Sequence, residues 1–350
     1  MNRFIYFILL LIIIKQYSMS QDQKNEKIIH LRFMSYNVEN LFDTINNAKY
    51  NDDDFTPEGR LKWDSPKYKK KLRHTAKVIS RVGQWHWPAV VGLIEVENSN
   101  TLNDLVNNTE LKKGNYSYLI SHGEDTRGIN VALLYRPKFV EIIEKHEYPI
   151  HFRDNENKKS RNILHAKILL MKSVMLDVLV CHLPSKREGS EASEIFRCEV
   201  AGVIKDKCEK IFQDNPDSNI LIMGDFNENP DDKALKQSLK TISKSMANDE
   251  NNGLRLVNIF EDYKLKDIGS YYYKGHWDQL DQMILSESFF NNNSKIQYMN
   301  NSAKVYTDDN IVSDNKNGIK VPIRTFKGNL YTGGYSDHLP IYADFIIRYD

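Results

Sequence analysis

Seven short β-rich runs recur along the chain, and most of them end on a carboxylate, a carboxamide or an imidazole. They occupy 31–38, 89–96, 130–135, 174–182, 219–224, 279–286 and 339–347. Some alternate with a period of two. Others, such as Val90-Val91-Gly92-Leu93-Ile94, are continuously apolar, the pattern of strands covered on both faces. Between them lie two amphipathic helical stretches. Residues 67–82 place Leu72, Ala76, Ile79 and Val82 on one face, and residues 188–213 carry a stripe that includes Ile195, Val200, Val203 and Ile204. A third, shorter helix is expected to start at Ser99, acting as its N-cap. Strands and helices mixed in this way imply layered α/β or α+β architecture. No linker, repeat or biased tract interrupts the chain, so one catalytic domain is expected over 31–348, after a polar lead-in at 21–30.

The start of the chain reads differently. Arg3 precedes an eleven-residue apolar run at 4–14, and Ser18-Met19-Ser20 offers small residues for cleavage. This is the pattern of a secretory signal peptide over 1–20 and is short for a bilayer span. The expectation is a secreted or periplasmic protein with no membrane anchor after cleavage, and a monomer. Removing Arg3 and Lys15, with no acid, takes the formal charge from +1 to −1. A balance this even excludes binding of nucleic acid by bulk charge, so any phosphate chemistry has to sit in a local site. Cys181, Cys198 and Cys208 are too few for a disulfide scaffold and lack zinc-ligand spacing; they are expected to be mostly buried thiols.

Chemistry gathers at the strand ends, where a rigid scaffold presents loops. Asn37 and Glu39 follow the first run; Glu95 and Glu97 end or follow the second; His182 ends the fourth. Asp225 and Asn227 follow the fifth, Asp281 sits near the start of the sixth, and Asp337-His338 precede the last. The set lacks GxSxG, a phosphate-binding P-loop, GxGxxG after a strand, and HExxH. Carboxylate and carboxamide oxygens suit a hard cation, Mg2+ or Mn2+, rather than zinc. Such a cation beside histidines suits phosphoester hydrolysis. Taken singly, each residue has a plainer reading. Asn227 could cap a helix started by Pro230, and His338 could be a turn residue. Glu95 is harder to dismiss, because a carboxylate after five apolar residues is costly to bury without a partner.

Taken together, the segments at 35–44 (SYNVENLFDT), 90–98 (VVGLIEVEN), 127–135, 180–185, 222–230 (IMGDFNENP), 280–286 and 335–345 (YSDHLPIYADF) resemble the endonuclease/exonuclease/phosphatase superfamily of metal-dependent phosphoesterases. The opening segment is most similar to bacterial secreted nuclease-type members. The resemblance implies a four-layer α/β sandwich, two mixed sheets face to face with helices outside. It places Asn37 as a phosphate-contacting asparagine and Glu95 as the principal metal ligand, with Glu39 and Asp337 as acids at the metal. It also implies His182 at the phosphate and leaving group, Asp225 and Asn227 positioning water and phosphate, and Asp281 orienting His338. Arg127 is a candidate phosphate contact. Either His338 or Asp225 would activate water. The chain departs from the family pattern at Ile94, where many members have Gln, at Pro88-Ala89, where an acid is common, and at Gln282, where Tyr is common.

The implied function is a divalent-metal-dependent endonuclease acting on DNA or RNA. The alternatives are a phosphomonoesterase or small-molecule or lipid phosphodiesterase, and, from another class, a non-catalytic binding module. The basic run Lys67, Lys69, Lys70, Lys71, Arg73, Lys77 and Arg81, with Lys186-Arg187, offers phosphate contacts, although a helical run of this kind is also what a solvated face looks like. Mg2+ or Mn2+ is the expected cation. Ca2+ is a further candidate, with the acidic turn at 51–54 as one place for it. Trp85-His86-Trp87 would either stack on bases or close the end of the preceding helix.

Overall fold

The computed structural model describes residues 26–349 other than Trp85, 187–188, 248–252 and 263–268. Fourteen strands build two mixed seven-stranded sheets. In chain order they are β1 (Lys27–Leu41), β2 (Val90–Val96), β3 (Ser117–Ile120), β4 (Asn130–Tyr135), β5 (Val140–Tyr148), β6 (Ile163–Leu170), β7 (Val174–His182), β8 (Ile220–Asp225), β9 (Thr241–Ile242), β10 (Leu256–Asn258), β11 (Asp281–Ser286), β12 (Ile296–Tyr298), β13 (Lys304–Val305) and β14 (Ile341–Tyr349). The first sheet runs β12–β14–β1–β2–β4–β3, with β13 also on β14; the second runs β5–β6–β7–β8–β11–β10–β9. Each sheet has a parallel pair, β1 with β2 and β7 with β8, flanked by antiparallel neighbours.

Alternation along the central strands divides the core into three. Phe33, Val90, Ile94, Val178, Val180, Leu221 and Met223 face inward between the sheets. Met34, Tyr36, Val91 and Leu93 point outward to Leu72, Ala76 and Ile79 of α1 (Ser65–Val82). Leu179, Cys181, Ile220 and Ile222 point outward on the other side, to Val200, Ala201, Ile204 and Cys208 of α3 (Ser190–Asp214). Each such aliphatic side chain contributes roughly 1.5–3 kcal/mol relative to exposure. The continuously apolar strands are therefore the covered ones, and the four-layer sandwich follows.

The helix ends are set by caps. Asp64 accepts the Lys67 N–H at 3.0 Å to start α1, with a proline in its first turn. The short helix α2 (Ser99–Asn107) is capped by Asn98 in a reciprocal box with Thr101, so Ser99 is its first residue and not its cap. Trp87 packs partly buried among the outer residues of the first sheet, stacked on Tyr116, in keeping with a packing role; Trp85 lies outside the described residues. The three cysteines are free, with Cys181 and Cys208 buried and Cys198 half-buried. No described helix is long and apolar enough to cross a membrane. The segment proposed as a signal peptide lies outside the described residues.

Candidate active site

The sheet topology brings the polar strand ends to one edge of the sandwich. In the second sheet His182 and Asp225 end the parallel pair β7/β8 as register partners, and Asp281 opens β11 directly opposite Asp225. The second sheet thus lines up three chemistry-bearing residues on three adjacent strands. In the first sheet the ladder breaks where the acids stand. Glu95 bulges out of pairing with both neighbours, and β1 slips register between Asn37 and Leu41. Glu39, Asn40 and Glu95 have φ of 53°, 55° and 67°, and Asn227 has 49°. Left-handed backbone at a non-glycine residue costs roughly 1–3 kcal/mol, and bulges re-aim side chains. Here they turn Glu39 and Glu95 into the cleft. Gly224, at φ 150°, admits no side chain, because a Cβ there would lie 1.9 Å from the Cys181 carbonyl oxygen on the parallel strand.

One cleft of about 640 Å³ is lined by Asn37, Glu39, Glu95, Arg127, His182, Asp225, Asn227, Asp337 and His338. Asp281, fully buried, stands behind His338 and accepts from its Nδ1 at 2.7 Å. The same carboxylate oxygen accepts the Ser270 hydroxyl at 2.7 Å, which fixes the imidazole. Asp225 is the hub of the site. Its Oδ2 accepts from Asn37 Nδ2 at 3.0 Å and lies 3.6 Å from His182 Nε2 and 3.8 Å from His338 Nε2. Its Oδ1 accepts the Asn227 N–H at 2.8 Å. The Asn227 side chain donates to the Leu183 carbonyl at 3.1 Å, so it ties two site loops together and does not cap a helix.

The acids of the first sheet are held separately. Glu95 Oε2 accepts the Asn40 N–H at 2.9 Å, and its Oε1 lies 3.6 Å from Arg127. Glu39 Oε2 accepts the Thr325 N–H at 2.7 Å, and Asp337 lies 3.8 Å from Arg324. Among the described residues no three His, Cys, Asp or Glu groups close round one point as a metal cage. In this arrangement Glu39 and Asp337 do not form a three-carboxylate cluster with Glu95. Magnesium characteristically uses one or two carboxylates, with water and phosphate completing its shell, so this all-oxygen donor set still fits it. The acidic turn is committed elsewhere: Asp52 accepts the Asn47 N–H on both oxygens, and Asp54 pairs with Arg60.

Burial dominates the electrostatics. It pushes Asp225 up to about 7, helped by Asp281 and opposed by His338. It pushes Glu39 to about 7, with Asp337 adding to the rise. Glu97 and Glu228 are also raised to about 7, each chiefly by burial. At His338 burial opposes the charged form, but Asp281 and Asp225 outweigh it and hold the imidazole well above its ordinary value. Between the ordinary carboxylate range near 4 and these folded values, the native state binds more protons than the unfolded chain. Stability carried by these groups is therefore lost as pH rises through that window. The melting temperature of metal-free protein is expected to fall between pH 5 and 7, and to recover on adding Mg2+ at pH 7. Differential scanning fluorimetry in EDTA and in excess Mg2+ checks this, and a metal-free melting point that rises over the window would contradict it.

Several cleft residues carry no signal in the sequence. Arg324, Thr325 and Phe326 come from the segment between β13 and β14, and Tyr271 and Tyr273 come from a two-stranded hairpin. Tyr271 packs on the His338 ring at 4.7 Å, and its hydroxyl meets Arg324 at 3.3 Å. Arg161 is buried beside Asp125 at 3.3 Å. Of the basic run, Lys71 is buried and Arg81 pairs with Asp308 at 2.9 Å, so neither is free for phosphate. Lys186 lines the cleft and pairs with Asp232 at 3.3 Å, whereas Arg187 lies outside the described residues.

A family model described as the endonuclease/exonuclease/phosphatase family matches residues 32–346. The chain belongs to the endonuclease/exonuclease/phosphatase family. Members are phosphoester hydrolases that typically use divalent metals. Solved structures agree on the fold. A family protein from Bacteroides thetaiotaomicron superposes with a TM-score of 0.56 at 16% identity, covering 92% of this chain and 99% of its own. A mannosyl-6-phosphatase from the same species gives 0.55 at 15% identity, covering 90% and 99%. D. rerio TDP2 complexed with single strand DNA product gives 0.54 at 16%, covering 90% and 98%. No curated protein sequence matches the chain significantly.

Proposed function

We propose that the protein is an exported, divalent-metal-dependent phosphodiesterase that hydrolyses nucleic acid. The observation that carries the reading is the gathering of Asn37, Glu95, His182, Asp225, Asn227 and His338 around one cleft. When bound, the cation would be held chiefly by Glu95, with Glu39 and Asp337 beside it, and would supply charge neutralisation at the phosphate. The chain's own groups do the rest. Asp225, poised near neutrality, takes the proton of the attacking water. His338, kept charged by Asp281, faces the charge that develops on the phosphoryl oxygens. Asn37, His182 and Arg127 orient the phosphate, and the departing oxygen leaves in line with the entering one.

The cleft surroundings favour a diester over a lone phosphate. Arg60, Lys186 and Arg324 line the cleft, each beside an acid (Asp54, Asp232 and Asp337) with which a phosphodiester backbone would compete, and Phe55, Tyr271, Tyr273 and Phe326 add aromatic surface. Tyr273 is half exposed. Cations spaced along a cleft with aromatic rings between them suit a backbone with bases to stack. Lys67 and Lys70 approach Tyr331, which pairs with the cleft residue Phe326 in a short hairpin. The second reading is a phosphomonoesterase, favoured by a cleft volume that would hold a sugar phosphate and by the likeness to the mannosyl-6-phosphatase. Supercoiled plasmid, single-stranded oligonucleotide, mannose 6-phosphate and p-nitrophenyl phosphate, each with Mg2+ and with EDTA, separate the readings. Metal-dependent nicking is expected; release of phosphate from the monoesters alone would transfer the assignment to a phosphatase, and silence on all substrates would leave a binding module.

A further inference from the structure

The most unusual charge near the cleft lies behind it. Lys71, in the middle of α1, is 1% exposed and is the one buried lysine among the described residues. Its Nζ donates to Thr325 Oγ1 at 2.6 Å and to the Tyr335 carbonyl at 2.7 Å, and lies 3.9 Å from Glu39 Oε2. Glu39 in turn accepts the Thr325 N–H. Burial is the largest influence on this amine and lowers its pKa, while Glu39, Asp337 and Glu95, in that order, work against the fall. A buried ammonium is costly unless paired and hydrogen-bonded. This one has two neutral acceptors and one carboxylate, and the carboxylates acting on it are those facing the proposed metal position.

The cation has two effects. It ties α1 to Glu39 and to the Thr325–Tyr335 segment, which is flanked by the cleft residues Arg324 and Asp337. It also places a positive charge 3.9 Å from Glu39, while Arg127 stands 3.6 Å from Glu95. A second divalent ion placed against Glu39 would have to sit beside that ammonium. At a few ångströms two like charges in a partly buried site repel, which disfavours a second ion there.

Resting on the metal-dependent reading above, we propose that Lys71 is a positioning residue and a built-in cation of the site: it fixes Glu39 and the Thr325–Tyr335 wall and fills the charge position of a second ion, so that the chain takes up one divalent ion per cleft. The test is Mn2+ binding to the purified chain by calorimetry and electron paramagnetic resonance, independent of turnover. The wild type is expected to bind one cleft Mn2+, identified as the ion lost in Glu95→Gln. Lys71→Met is expected to bind Mn2+ at least tenfold more tightly, since a neighbouring positive charge is gone, while KM rises as the wall loosens. A purely structural lysine would leave Mn2+ affinity unchanged or weaken it. Lys71→Met/Glu39→Gln, which removes both charges, is expected to bring the affinity back toward wild type and serves as the reference should the single variant fold poorly. Two cleft ions in the wild type, or no gain in affinity in Lys71→Met relative to the double variant, would overturn this inference alone. No Mn2+ bound at all would overturn the metal-dependent reading beneath it.

Discussion

His338→Ala is expected to lower kcat by about 10²–10³-fold, the range typical of losing one preorganised group that meets developing charge. The imidazole is buried but reaches the cleft surface, held by Asp281 at 2.7 Å and packed against Tyr271. Removing it leaves Asp281 with Ser270 as its remaining side-chain partner, which costs roughly 1–3 kcal/mol for an under-satisfied buried group. The fold has enough buried apolar surface in three clusters to absorb that loss. The variant should therefore give an unchanged circular dichroism spectrum, a lowered melting point and very slow hydrolysis. Asp281→Asn should act in the same direction but more weakly, about 10–100-fold. It should also shift the pH profile. Asp281 is the largest influence raising the His338 value, so its neutralisation lets the imidazole lose its proton at lower pH, and the alkaline limb of kcat/KM should move down. A profile left in place, or near-normal turnover in His338→Ala, would remove His338 from the mechanism.

The second large effect is expected at Glu95. Glu95→Gln retains an oxygen able to accept the Asn40 N–H that fixes the side chain at 2.9 Å, but it removes the formal charge. Loss of a metal-holding carboxylate should lower activity by about 10²–10³-fold and raise the Mg2+ concentration needed for half-maximal rate. Loss of the charge also leaves Arg127, now 3.6 Å from Glu95, without its nearest acidic cleft partner. Substrate affinity should therefore change less than turnover. Activity titrated against Mg2+ in wild type and variant separates the two. An unchanged Mg2+ dependence would take Glu95 out of the metal site.

Much of this architecture is legible in the chain because covered strands and strand-end polar residues leave a strong pattern. The central strands β1, β2, β4, β7, β8, β11 and β14 are the apolar runs. The misses have physical causes. β5 is a sheet-edge strand whose exposed positions carry Glu141, Glu144, Lys145 and His146, so its apolar alternation is broken. β6 is interrupted by His165, which is buried against Asp177 at 2.8 Å and satisfied on both ring nitrogens. The wall between β13 and β14 is made of two-residue and three-residue strands with no periodicity, so Arg324 and Phe326 could not be placed at the cleft. Lys71 is different, because a signal was present. It lies three residues after Tyr68 and four before Thr75, both buried, which puts it on the covered face of α1 and not among the solvated lysines. The left-handed turns at Glu39 and Glu95 are invisible to patterning, because neither residue type favours that backbone.

The central claim is that carboxylates and imidazoles from both sheets act on one phosphate beside a cation held by Glu95. The most direct measurement is anomalous diffraction from crystals soaked with Mn2+ and a phosphorothioate dinucleotide that resists cleavage. The account predicts a single manganese peak bonded to Glu95, with the phosphorus between His182 and His338 and within reach of Asn37. A manganese peak remote from Glu95, or a phosphorus bound outside this cleft in crystals of active enzyme, would contradict it.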